Sequence, residues 1–288
     1  MKRFSIFFLS LVTCVLLGSA SFAGTECTST SNEASHQTTN AANGQLGYCF
    51  QTPVNMDVKI YEFGLCTAHS DPTNKSACTT LFENVAGKDM NLTVGSSLDL
   101  SDSVSLTEGT YSHAYVIMSN VTAIKTIVQF SNARTDDAGQ SGVYCYTDGR
   151  SWNDNPLAIM SCGSSASDAV ASEEKIGLEA PGGGYSSSEL GYTVSMGGQS
   201  VITNLYMIDQ NGSLSTSYNN DFAILGSQIL SDQVIITPST SSLDIAFSIT
   251  DGVMVGFDID FDQDNTTGTQ TGPNDAVFEG LKFKITAK

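Results

Sequence analysis

The chain has 288 residues, of which 30 are Asp or Glu and only 12 are Lys or Arg, for a net charge of −18. So acidic a surface repels nucleic acid and anionic lipid, which argues against both as partners. After the first residues, no stretch approaches the roughly 20 apolar residues that a spanning helix needs.

Met1-Lys2-Arg3, the apolar run Phe4–Leu17 and the small-x-small step Ser21-Phe22-Ala23 read as a secretory signal peptide over residues 1–23. Its removal takes away two basic residues and no acid. Six cysteines remain, an even number in an exported chain, which predicts three disulfides. Six cysteines allow fifteen pairings. The sequential set Cys27–Cys49, Cys66–Cys78 and Cys145–Cys162 is favoured, because each pair staples a polar loop. Zinc loses to this reading: there is no CxxC, and the histidines are His36, His69 and His113.

Residues 24–45 are Ser-, Thr-, Asn- and Ala-rich, and read as a flexible polar arm tied down by Cys27. A single β-domain is expected over 46–288. Val58 and Ile60 alternate, then Phe63 and Leu65 continue on the other parity, so an extra residue near Tyr61-Glu62 predicts a β-bulge. Cys66–Cys78 encloses a polar loop. Thr79–Phe82 and Met90–Val94 read as short strands.

The stretch Ser103–Ser131 organises the rest. After a Glu108-Gly109 turn, Tyr111–Met118 is apolar on both faces, with Ala114, Val116 and Met118 opposite Tyr111, His113, Tyr115 and Ile117. Such a strand is central in its sheet and covered on both sides, or it presents an aromatic ladder to a partner; cover by a loop is the favoured reading. Ile124, Thr126, Val128 and Phe130 share one face of a following strand, and more polar residues share the other. Leu106-Thr107-Glu108-Gly109-Thr110-Tyr111, set between a Val/Leu strand and an alternating one, resembles the L-x-x-G-x-Y step of transthyretin-like, Cna-B-type domains of bacterial surface proteins. The resemblance covers roughly residues 54–130. It implies a sandwich of seven or more strands used as a stalk, adhesive or carbohydrate-associated module, and brings no catalytic residue.

Gly142–Tyr146 reads as a strand leading into the Cys145–Cys162 loop, which holds Arg150, Trp152, Asn153, Asp154 and Asn155. A flat aromatic ring beside amides and carboxylates can stack on a sugar face while its neighbours take the hydroxyls, so these five are candidate glycan-binding residues. The competing reading has Trp152 plugging its own loop. Residues 163–199 are Ser/Gly-rich, without sustained periodicity, and are expected to form an insertion over the sandwich surface.

The last third returns to strands: Val201–Ile208, Phe222–Leu225, Gln233–Thr237, Leu243–Ile249, Val253–Phe261 and Val277–Thr286. A three-residue loop at Thr250-Asp251-Gly252 would make 243–257 a hairpin, with Ile249 opposite Val253, Phe247 opposite Val255 and Ile245 opposite Phe257. It would also set Asp244 opposite Asp258, beside Asp260, with Asp262 and Asp264 following. These acids form either a solvated edge or, at Asp258, Asp260, Asp262 and Asp264, a calcium site. Asn265 and Thr271 stand where an EF-hand loop wants Gly and Glu, which excludes that motif.

The expectation is therefore an all-β, antiparallel two-sheet sandwich of immunoglobulin or transthyretin-like kind, stapled by disulfides and secreted to the periplasm, surface or medium. No Ser/His/Asp motif, nucleophile elbow or metal-ligand histidine cluster stands out. The leading functional expectation is a non-enzymatic structural or adhesive protein meeting glycans or other surface proteins. A carbohydrate- or ligand-binding module is the alternative and an extracellular hydrolase the weakest. No cofactor other than calcium is implied.

Overall fold

A computed structural model describes residues 26–31, 48–99, 107–151, 157–179, 185–196, 199–257 and 272–288. The strands are β1 (Tyr48–Gln51), β2 (Asn55–Cys66), β3 (Cys78–Leu92), β4 (Ser97–Asp99), β5 (Gly109–Ser119), β6 (Val121–Lys125), β7 (Ile127–Thr135), β8 (Ser141–Ser151) and β9 (Ala158–Gly163). They continue as β10 (Ser172–Lys175), β11 (Leu178–Glu179), β12 (Tyr185–Ser186), β13 (Ser188–Met196), β14 (Gln199–Ile208), β15 (Ala223–Ile236), β16 (Leu243–Ser248), β17 (Val253–Gly256), β18 (Asp275–Phe278) and β19 (Lys282–Ala287). An eight-stranded sheet runs β10-β6-β2-β5-β15-β14-β13, with β3 also paired to β2. Against it stand a six-stranded sheet, β1-β17-β18-β9-β8-β7, and a three-stranded one, β19-β16-β4. One contiguous core joins all three. The fold is an all-β sandwich.

β5 lies between β2 and β15, at the centre of the large sheet. Its inner face buries Ala114, Val116 and Met118. Its outer face is covered by the disulfide-closed loop after β2. His69 meets His113 there, with ring centroids 4.5 Å apart, and Lys75 lies over the Tyr115 ring. The pairing registers of β2 slip between Ile60 and Glu62 against both β3 and β5, which is the bulge that the parity change foretold. The Tyr111 hydroxyl donates to the Thr107 carbonyl, 2.9 Å away.

Ile124, Thr126, Val128 and Phe130 are all buried, as their shared face requires. They do not form one strand. At Thr126 the chain leaves the large sheet for the six-stranded one, and the corner is held by Thr126 N–H to Thr147 Oγ1 (3.1 Å) and Thr147 N–H to the Thr126 carbonyl (3.2 Å).

All three disulfides join the favoured partners. Cys66 faces Cys78 across β2–β3, and Cys145 faces Cys162 across β8–β9. Cys27–Cys49 docks the start of the polar arm on β1, where Cys27 N–H also donates to the Phe50 carbonyl. On the chain-entropy account, closing loops of this size contributes about 3 kcal/mol each. Disulfides in such number mark an oxidising compartment. No helix among the described residues is long and apolar enough to cross a membrane.

Several expected elements differ. The two short strands after Cys78 are one strand, β3, and Phe222–Leu225 and Gln233–Thr237 are one strand, β15. The described part of 163–199 is not a surface excursion, because β10 and β13 form the two ends of the large sheet. The inward residues of β10, Ser172 and Glu174, are polar yet buried, so the strand carries no hydrophobic alternation to detect. The expected 243–257 hairpin is also absent. Leu243, Ile245, Phe247, Ile249, Val253, Val255 and Phe257 are indeed all buried. However, β16 pairs with β19 and β4, while β17 pairs with β1 and β18. Alternation specifies which face is buried but not which strand lies alongside. Asp244 consequently stands opposite Thr286 and Asp99 in register, and pairs with Lys288.

Candidate binding pocket between the sheets

Residues 249–252 carry the chain from the three-stranded sheet to the six-stranded one, and residues 279–281 carry it back. The first passage turns tightly: Gly252 N–H donates to the Ile249 carbonyl at 3.0 Å, and Asp251 takes a left-handed φ of 56°. The second is tied to the first by Glu279 N–H donating to the Gly252 carbonyl at 3.0 Å. Glu279 is thereby fixed facing the large sheet.

Across from it, β13 departs from regular pairing. Its register with β14 shifts between Glu189 and Tyr192. In an unbroken strand, residues three apart point to opposite faces. Here Leu190 is displaced outward, 66% exposed, and Gly191 takes a φ of 69° with its N–H donating to Asn204 Oδ1 at 2.8 Å. The irregularity turns both Glu189 and Tyr192 toward one cavity of about 220 Å³. Tyr192 donates from its hydroxyl to Glu279 Oε1, 3.1 Å away.

Val116 and Met118 of β5, Leu205 of β14 and Ile224 of β15 form the apolar wall on the large sheet. Met254, Val277, Phe278, Leu281 and Phe283 face them. Gly226 sits in the wall, where a side chain would meet Leu205 and Val116 only at ordinary contact distance, so its lack of one leaves room. Gln228 lies two residues on. It is 3% exposed and lines the cavity.

Burial pushes the Glu279 carboxyl up to about 7; the hydrogen bond from Tyr192 opposes this and the Glu189 charge adds to it. Burial likewise raises Glu189. Tyr192 is raised by burial, then by the neighbouring Glu279 charge. No Lys or Arg is among the described residues lining the cavity.

The residues singled out by sequence lie elsewhere. Trp152, Asn153, Asp154 and Asn155 fall outside the described residues, as do Asp258, Asp260, Asp262 and Asp264. Arg150 is engaged locally: its Nε donates to Asp148 Oδ2 at 2.7 Å and its terminal nitrogen to Ser161 Oγ. Among the described residues, no group of three or more His, Cys, Asp or Glu is placed to hold a metal ion. His69 and His113 do come together, with His69 Nδ1 3.2 Å from Ser227 Oγ. Burial lowers both imidazoles, the nearby His69 adding to the effect at His113. Ser227 is fully buried and its oxygen already accepts from Ser70 N–H, so its hydroxyl is closed off from solvent.

Glu189, Tyr192, Gln228 and Glu279 had no local signature in sequence. The chain matches no family model, no curated protein and no solved structure.

Proposed function

We propose that this is an exported, non-enzymatic β-sandwich protein that binds a small ligand between its layers while exposed to the cell exterior. The observation that carries this reading is the cavity itself, with an apolar wall and a few convergent polar groups at one side, the usual composition of a ligand site. The three disulfides support the exterior setting. The polar residues in the cavity serve recognition: Tyr192 donates to Glu279, and among the described residues neither carboxyl shares the cavity with a histidine or a lysine. A structural or adhesive role is compatible with binding, since a surface module can hold its ligand in a layer or stalk.

Thermal shift against a fragment set of neutral, cationic and anionic small molecules tests the reading. A ligand at 100 times its Kd stabilises by about 2.7 kcal/mol, a shift of several degrees. Fragments that stabilise the wild type are expected to lose their effect on Gly226→Leu, which fills the cavity. A set with no stabilising member, or equal shifts in the filled variant, would overturn it.

A further inference from the structure

We infer that the ligand of this cavity is a small organic ammonium ion, its apolar body against the sheet wall and its nitrogen at Glu189 and Glu279. The inference rests on the reading of the cavity as a ligand site and adds the chemical class. Three features support it independently.

The first is charge. Two carboxyl groups face a low-dielectric space that holds no basic side chain among the described residues. A buried acid without a counter-charge is costly, and a cation entering the cavity removes that cost while gaining two charge-assisted hydrogen bonds. An anion would be repelled, and a hydrocarbon would leave both carboxyls dry.

The second is the count of acceptors. A primary ammonium has three N–H donors and no acceptor. Glu189 and Glu279 supply two acceptors, and the Gln228 amide, buried at 3% exposure in the cavity lining, supplies a third through its carbonyl oxygen. Tyr192 donates to Glu279 and so fixes the carboxylate without competing for the ammonium. A hydrated metal ion asks for six or more oxygens, which this apolar wall does not hold. A sugar needs many more hydrogen-bonding groups than the cavity offers.

The third is size. A closed apolar cavity of about 150 Å³ accommodates benzene. The volume here, about 220 Å³, fits one ring with a short arm. Phenethylammonium has that shape.

The other charged groups near the cavity are turned away or paired. Lys175 donates to the Tyr218 carbonyl, Lys282 lines an adjoining cavity that shares Gln228 and Phe283 with this one, and Glu174 accepts from Phe278 N–H.

Isothermal titration calorimetry at pH 8 with phenethylammonium, 2-phenylethanol and phenylacetate decides the matter. Phenethylammonium is expected to bind about tenfold or more tightly than the alcohol, with phenylacetate silent. Glu189→Gln and Glu279→Gln should each weaken the ammonium about tenfold and leave the alcohol within about twofold. Gly226→Leu should abolish both. If the alcohol binds as tightly as the ammonium, or neither Gln variant separates them, the ammonium assignment is wrong and the cavity remains a ligand site. If no probe binds, or all bind the Leu variant unchanged, the cavity reading itself falls. Glu189 lies on the terminal strand of the sheet, so Glu189→Gln keeps the test open should Glu279→Gln fail to fold.

Discussion

Glu62 and Glu279 invite comparison, because each accepts a hydrogen bond from a tyrosine, on opposite sides of the same sheet. On the outer face Tyr115 donates to Glu62, Thr80 Oγ1 adds a bond at 3.1 Å, and Lys75 closes the group with its Nζ 2.7 Å from the carboxylate. On the inner face Tyr192 donates to Glu279, with a second acid, Glu189, in the same cavity and no basic residue beside it among the described residues. The outer group is satisfied by its own chain, so it behaves as structure. The inner one has its hydrogen bond but lacks its counter-charge, and that is the difference between a finished surface and a receptive one.

The sharpest way to break the outer group is through its glycine. A side chain at Gly64 would come within 2.4 Å of the Tyr115 ring and 2.6 Å of the Thr79 carbonyl oxygen, a backbone atom that cannot swing aside. Gly64→Ala should cost about 3 kcal/mol, read as a fall in urea midpoint.

Next in size is a third carboxyl, belonging to neither group. Glu174, 2% exposed, has its folded-state value raised to about 8, first by burial and then by the Asp275 charge, against the bond from Phe278 N–H. The native state therefore holds a proton that the unfolded chain releases above about 4.5, and stability falls as pH rises from there to about 8. Glu174→Gln should flatten that decline and leave the protein more stable than wild type by about 2 kcal/mol at pH 8, with little difference at pH 4.

Lys75→Met should cost about 1 kcal/mol, because it strips the counter-charge from Glu62. Glu279→Gln, the matching change inside, should do the reverse. The Glu279 carboxyl is also raised, to about 7, so its ionisation opposes folding above about 4.5. Allowing for screening by solvent at a partly exposed group, the gain at pH 8 should be under about 1 kcal/mol. Denaturant melts of the two variants side by side read opposite signs if the comparison holds. Two losses would place Glu279 in the same structural class as Glu62.

How far the sequence reached follows the same division. The outer group was partly legible: the parity change at Tyr61-Glu62 announced the bulge, the double-faced strand announced β5, and even cysteines announced the loop that covers it. Burial was legible along 243–257, residue by residue, because a period of two specifies a face. The crossing of that segment from one sheet to another was not, since the same period serves either neighbour. The cavity was least visible. Its acids stand 90 positions apart in sequence, and they converge only through an irregular strand and a crossover, neither of which leaves an apolar pattern. Glu174 escaped for a related reason, being an inward residue of the wrong chemistry for any periodicity count.

The bond between Glu279 N–H and the Gly252 carbonyl has a mechanical meaning. It clamps the two threads that stitch the smaller sheets together, and the clamp sits at the rim of the cavity. A pull that peeled either small sheet away would have to open that rim first. Single-molecule force traces should therefore rupture higher when the cavity is filled, so the molecule would resist tension according to what it holds.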